Sequence, residues 1–72
     1  MNIEWNFGRA VINLPSACVP MLSSASAEQL RILIGLASEN GKTLEGICAL
    51  ADTTEARVWE AIAFWEQAGV IT

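Results

Sequence analysis

Apolar residues recur every three or four positions over most of this chain's second half, and the strongest such run begins at Ala27. A step of about 100° per residue puts Leu30, Leu33, Ile34 and Ala37 on one face, and Ile32 and Leu36 widen the apolar arc beyond half the circumference. The pattern predicts a central, most buried helix. Its start is marked by Ser26-Ala-Glu-Gln29, in which the serine oxygen caps and Gln29 reaches back, and Asn40-Gly41 reads as its stop, so the helix is expected over 27–39. Thr43 then caps a shorter helix over 44–51, with Leu44, Ile47, Cys48 and Ala51 at the i, i+3, i+4, i+7 positions. Gly46 weakens that helix in isolation, so it depends on tertiary support.

Asp52-Thr53-Thr54 makes a turn of about three residues, because Asp tolerates the left-handed conformation and any of the three can cap the next helix. Two short helices joined so tightly predict a helix-turn-helix. The last helix, over 54–68, packs through Val58, Ala61, Ile62 and Trp65, with Trp59 and Phe64 on opposite flanks of that stripe. Gly69 stops it, and the β-branched Val70-Ile71 would open a wing strand. Upstream, the stretch 10–14 (AVINL) has the character of a short strand ended by Pro15, and a short helix over 16–22 comes next, disturbed in its second half by Pro20. Residues 1–9 form an arm in which Trp5 and Phe7 share a side if extended and Gly8 breaks the run. The expected architecture is mainly α: a winged helix-turn-helix domain over 10–72 with a short N-terminal strand and a small or truncated wing. Because no turn or returning strand comes after Val70-Ile71-Thr72, the chain reads as the N-terminal fragment of a longer protein, or as a wing paired only with the strand at 10–14.

Size sharpens this picture. A 72-residue chain buries only about 60% of its unfolded-state surface. Three Trp and two Phe in a chain that is 53% hydrophobic are more large rings than so small an interior absorbs. Some of that apolar surface is expected to be covered by another subunit or domain, and Trp5, Phe7, Trp59 and Phe64, off the main stripes, are the candidate protein-interface residues.

Charge then bears on the helix that would read DNA. Its outward arc holds Ala56, Glu60, Ala63 and Gln67, with Arg57 on the margin. A base-reading helix offers Arg, Lys, Asn or Gln to the major groove with basic neighbours for phosphate. Arg57 and Gln67 are the only candidates for nucleic-acid contact here, and they stand against Glu55, Glu60 and Glu66 in a chain of net charge −4. Weak nucleic-acid binding, if any, is expected through this segment.

Catalytic chemistry has little material. His and Tyr are absent, which removes the commonest general base and metal ligand, and Lys42 is the sole lysine, so no group stands ready to activate the serines at 16, 23, 24 and 26. Capping and packing account for the serines. Cys18 and Cys48 lie among apolar neighbours without a CxxC spacing, and are expected as reduced, packed thiols; the glycines lack the spacing of a phosphate cradle. No enzyme activity, metal or cofactor is expected. The N-terminus has Glu4 before any apolar run and no basic leader, and no apolar run reaches the roughly 20 residues of a membrane span, so a cytoplasmic protein is expected.

The order of these segments, LPSACVPML, SAEQLRILIGLASENG, LEGICALAD and TTEARVWEAIAFWEQAGVI, resembles the N-terminal winged-helix domain of DnaD-like primosome proteins of Gram-positive bacteria and their phages. The phrase AIAFWEQAGVI is similar to the "alkfWekaGvi" ending of that group, and the resemblance runs from about Val11 to Ile71. It implies a replication-initiation role in which this domain serves mainly in self-association, and DNA binding belongs to a separate C-terminal helical domain. Trp59, Trp65, Gly69, Val70 and Ile71 match the motif as framework, while the second wing strand of the fuller family pattern is missing. Two functions are therefore in view: a non-catalytic oligomerisation module that also meets other replication proteins, or a sequence-specific DNA-binding winged-helix transcription regulator.

Overall fold

Side-chain caps set the starts of the first two α-helices, whereas Thr54, at the start of the third, makes no side-chain cap bond. In a computed structural model that describes residues 1–8 and 11–72, the Ser26 hydroxyl accepts the Gln29 backbone N–H at 3.1 Å while the Gln29 side chain accepts the Ser26 N–H at 2.8 Å. This reciprocal pair satisfies two of the donors that every helix start leaves open, and it begins α1 (Ala27–Ala37). The Thr43 hydroxyl does the same work for α2 (Leu44–Ala51) through the Gly46 N–H at 3.0 Å. A three-residue turn comes next, opened by Asp52 at φ 52°, ψ 57°, and α3 (Glu55–Gln67) completes the helical set. A 3-10 helix, Ser16–Met21, precedes α1 and runs through Pro20 without interruption; it sends Cys18 into the core. A 3-10 helix is more tightly wound but has poorer hydrogen-bond geometry, so it has less to lose from a missing proline N–H than an α-helix has.

The three α-helices pack on one another around Ile32, Leu33, Ile47, Ala51, Val58, Ala61 and Trp65. Trp65 fills the centre. Its ring is fully buried, its indole N–H donates to the Gln29 backbone carbonyl at 2.9 Å, and Phe64 meets it edge-on with centroids 4.9 Å apart. The buried indole donor is thus paired, which avoids a desolvation cost of roughly 1–3 kcal/mol.

Several features differ from the expectation. α1 ends at Ala37 rather than 39, because Ser38 turns out of the helix and bonds the Gly35 carbonyl through both its N–H at 3.2 Å and its hydroxyl at 2.7 Å. The chain then doubles back as a 3-10 helix, Glu39–Lys42, that lays Gly41 directly on the α1 backbone. The buried arc of α1 is also rotated: Gly35 is covered by Ile47 and Leu50 of α2, whereas Ile34, expected on the core face, is 49% exposed.

No strand forms among the described residues. The expected strand at 10–14 is irregular over 11–14, and Ala10 lies outside the described residues. The expected wing strand is instead a helix stop. Gly69, at φ 77°, donates to the Glu66 carbonyl, and Val70 donates to the Trp65 carbonyl at 3.0 Å while its side chain is buried in the core. That is the hydrogen-bond pair of a Schellman motif with its apolar residue after the glycine.

This packing makes two positions sensitive to substitution. Trp65→Ala should cost about 3–5 kcal/mol, enough to unfold most of a domain this small, as read by urea or thermal denaturation. Gly41→Ala should lower stability by about 1–3 kcal/mol in the same assay, since the new methyl would collide with the Gly35 carbonyl oxygen and lie 2.8 Å from the Leu36 Cα, both backbone atoms that cannot step aside.

Candidate interaction surfaces

With Trp65 occupying the interior, the other rings divide by position. Trp59 lies one residue past Val58 on α3, which carries it about 100° away from the core-facing side, and it is 56% exposed. Phe64, on the other flank, is half-buried against Trp65, so it closes the edge of the core as well as facing out. In the arm, Trp5 is 73% and Phe7 64% exposed, and the described residues there carry no helix or strand. The structure therefore leaves Trp5, Phe7 and Trp59 largely in water.

The acidic side of α3 has a built partner. The Thr53 hydroxyl, in the turn before α3, donates to Glu28 Oε2 at 2.8 Å, and Arg57 lies 3.8 Å from both Glu28 Oε1 and Glu60 Oε2. This cluster ties the first turn of α1 to the joint between α2 and α3. It also turns the guanidinium of Arg57, one of the two candidate nucleic-acid contacts, toward carboxylates. Gln67, the other, is exposed at the last position of α3 beside Glu66. Separated by ten positions along the helix, about 15 Å, they do not form one site.

Sequence pattern alone missed a third surface, a groove between α1 and α2 lined by Arg31, Ile34, Gly35, Ser38 and Leu50. Ile34 and Leu50, each 49% exposed, supply its apolar surface, and Gly35 is buried against Leu50 and Ile47. The only clue in the sequence was Gly35 itself, a residue without a side chain inside an otherwise apolar helix.

Reactive groups are dispersed. Both cysteines are free, Cys18 buried and Cys48 partly so, and no group of three potential metal ligands gathers among the described residues. Among the described residues, no helix is long and apolar enough to cross a membrane. Compared with known protein families, curated proteins and solved structures, the chain matches none of them.

The geometry around Arg57 makes a direct prediction for nucleic acid. In an electrophoretic shift assay at low salt the domain should form no tight complex with duplex DNA; a tight complex that weakens steeply with added salt would contradict this account of α3.

Proposed function

We propose that this domain is a non-catalytic association module, acting by oligomerisation in a DnaD-like DNA-replication initiation protein, where it also meets other replication proteins in the cytoplasm. The observation that carries the reading is the placement of three of the five aromatic rings, Trp5, Phe7 and Trp59, on the outside of a chain whose interior is already filled by Trp65. Aromatic side chains left in water on a small domain are the residues that most often anchor protein interfaces. The order of helices, with α2 and α3 joined in three residues, agrees with the trihelical part of a winged helix, and the acidic balance agrees with a protein rather than a phosphate partner.

A second reading, a sequence-specific DNA-binding winged-helix regulator, draws on the same tight joint through the left-handed Asp52. It needs α3 to read bases, and Arg57 is engaged there by Glu28 and Glu60. The association reading accounts for more of the surface.

Sedimentation across a concentration series tests it. The chain should pass from monomer to a larger species as concentration rises, and deleting residues 1–9 should shift that equilibrium toward monomer. An unchanged mass after the deletion would remove the arm from the interface, and a monomer at every concentration would end the association reading.

A further inference from the structure

We propose that the groove between α1 and α2 receives the N-terminal arm of a second copy of this chain, with Trp5 as the anchor and Glu4 set against Arg31. The inference rests on the association reading above and says where the arm lands. Groove and arm are two apolar surfaces of the molecule left without cover, and each has what the other lacks.

The groove offers apolar walls and one cation. Its volume, about 240 Å³, is below the roughly 300–1,000 Å³ of sites for drug-sized ligands, so it suits a projecting side chain better than a small molecule. Its hydroxyl, Ser38, already donates to the Gly35 carbonyl, which leaves Arg31 as the one open donor at the rim. No ion pair of Arg31 forms among the described residues, since the neighbouring Glu28 is taken by Thr53 and Arg57. A fitting occupant is therefore an aromatic or aliphatic residue next to a carboxylate.

The arm has that chemistry. Ile3, Trp5 and Phe7 alternate with Asn2, Glu4 and Asn6, so an extended arm puts three large apolar groups on one side. Glu4 lies in the sequence between Ile3 and Trp5, whereas the arm's other charged side chain, Arg9, comes after Gly8; Arg31 is the only charged side chain lining the groove. A tryptophan ring can lie against the exposed parts of Ile34 and Leu50, and the Arg31 guanidinium can stack on its face. The arm of the same chain spans up to about 30 Å over the nine residues from Trp5 to Leu14. Yet it leaves the groove open and Trp5 73% exposed, which favours a second copy as occupant.

Full-length variants test this by complementation. Trp5→Ala spoils the arm and Leu50→Glu spoils the groove; both positions are at the surface, so folding, checked by circular dichroism, should be kept, with Arg31→Glu as the groove variant if Leu50→Glu does not fold. Each alone should self-associate at least about tenfold more weakly than the unaltered chain in sedimentation, and an equimolar mixture should form a mixed species that neither forms alone. Glu4→Arg and Arg31→Glu should each weaken association about two- to fivefold, as exposed ion pairs do, and the double reversal should restore it. Self-association unaffected by Leu50→Glu, or no mixed species although the unaltered chain associates, would overturn the groove as the docking site while leaving association itself intact. A monomer at every concentration would overturn both.

Discussion

Burial of one side chain, Trp65, organises this domain. A tryptophan can be fully buried in so small a core only where its indole N–H finds an acceptor, and here the acceptor is the Gln29 carbonyl in the first turn of α1. Gln29 is itself fixed, because its side chain closes the capping box with Ser26. The bond therefore links the start of α1 to the end of α3. The carbonyl of Trp65 takes the N–H groups of Val70 and Ile71, so the helix stop is set by the same residue. Beside it, Glu28 reaches Thr53 and Arg57 and fixes the joint between α2 and α3. Two consecutive positions in α1, Glu28 and Gln29, thus bond to other elements, which is why α1 is central without being apolar all round.

That arrangement decides what remains for the surface. Once Trp65 fills the interior, a chain of 72 residues has no second core to take in Trp5, Phe7 or Trp59. Burying such rings against a partner returns about 25 cal/mol for each Å² of apolar area, less the cost of ordering the arm. The same closure sets the electrostatics. By drawing the exposed Arg57 toward Glu28 and Glu60, the cluster sets the one cation of α3 against neighbouring acids and leaves Glu55 and Glu66 to define the rest of its outer face.

Much of this is legible in the chain because capping is local. Ser26 with Gln29, Thr43, the left-handed Asp52 and Gly69 each act within a few residues, and each does what its type and position imply. What is illegible is tertiary or degenerate. The early end of α1 depends on Gly41 returning to touch Gly35 and Leu36, a contact that no window of periodicity contains. Periodicity places Ile34 inward because it weighs side-chain hydrophobicity, and Gly35 has none; yet it is the missing side chain at 35 that lets α2 approach on that side. Val70 and Ile71 are β-branched residues after a glycine, a pattern that serves equally as the start of a strand or as the apolar end of a Schellman stop. The surface obeys the same rule. Exposure of Trp59 can be read from its place off the stripe, whereas the engagement of Arg57 cannot, since Glu28 lies 29 residues away.

An arm that docks on a neighbour raises the question of closure. If the arm of one copy reaches the groove of a second, the second copy's arm can reach back only when the span from anchor to domain matches the size of the domain. The about 30 Å available between Trp5 and Leu14 compares with principal extents of 39, 26 and 20 Å for the whole chain. The reach of the arm is thus comparable with the dimensions it would have to span. Reciprocal docking satisfies both grooves within a two-fold pair, and the second contact forms at the high effective concentration set by the first. An arm much shorter could not return, and one much longer would dilute that advantage or pass to a third copy and open a filament. On the proposed docking, the length of the arm is therefore part of its chemistry, as much as Trp5 or Glu4, because it decides between a closed pair and an open array.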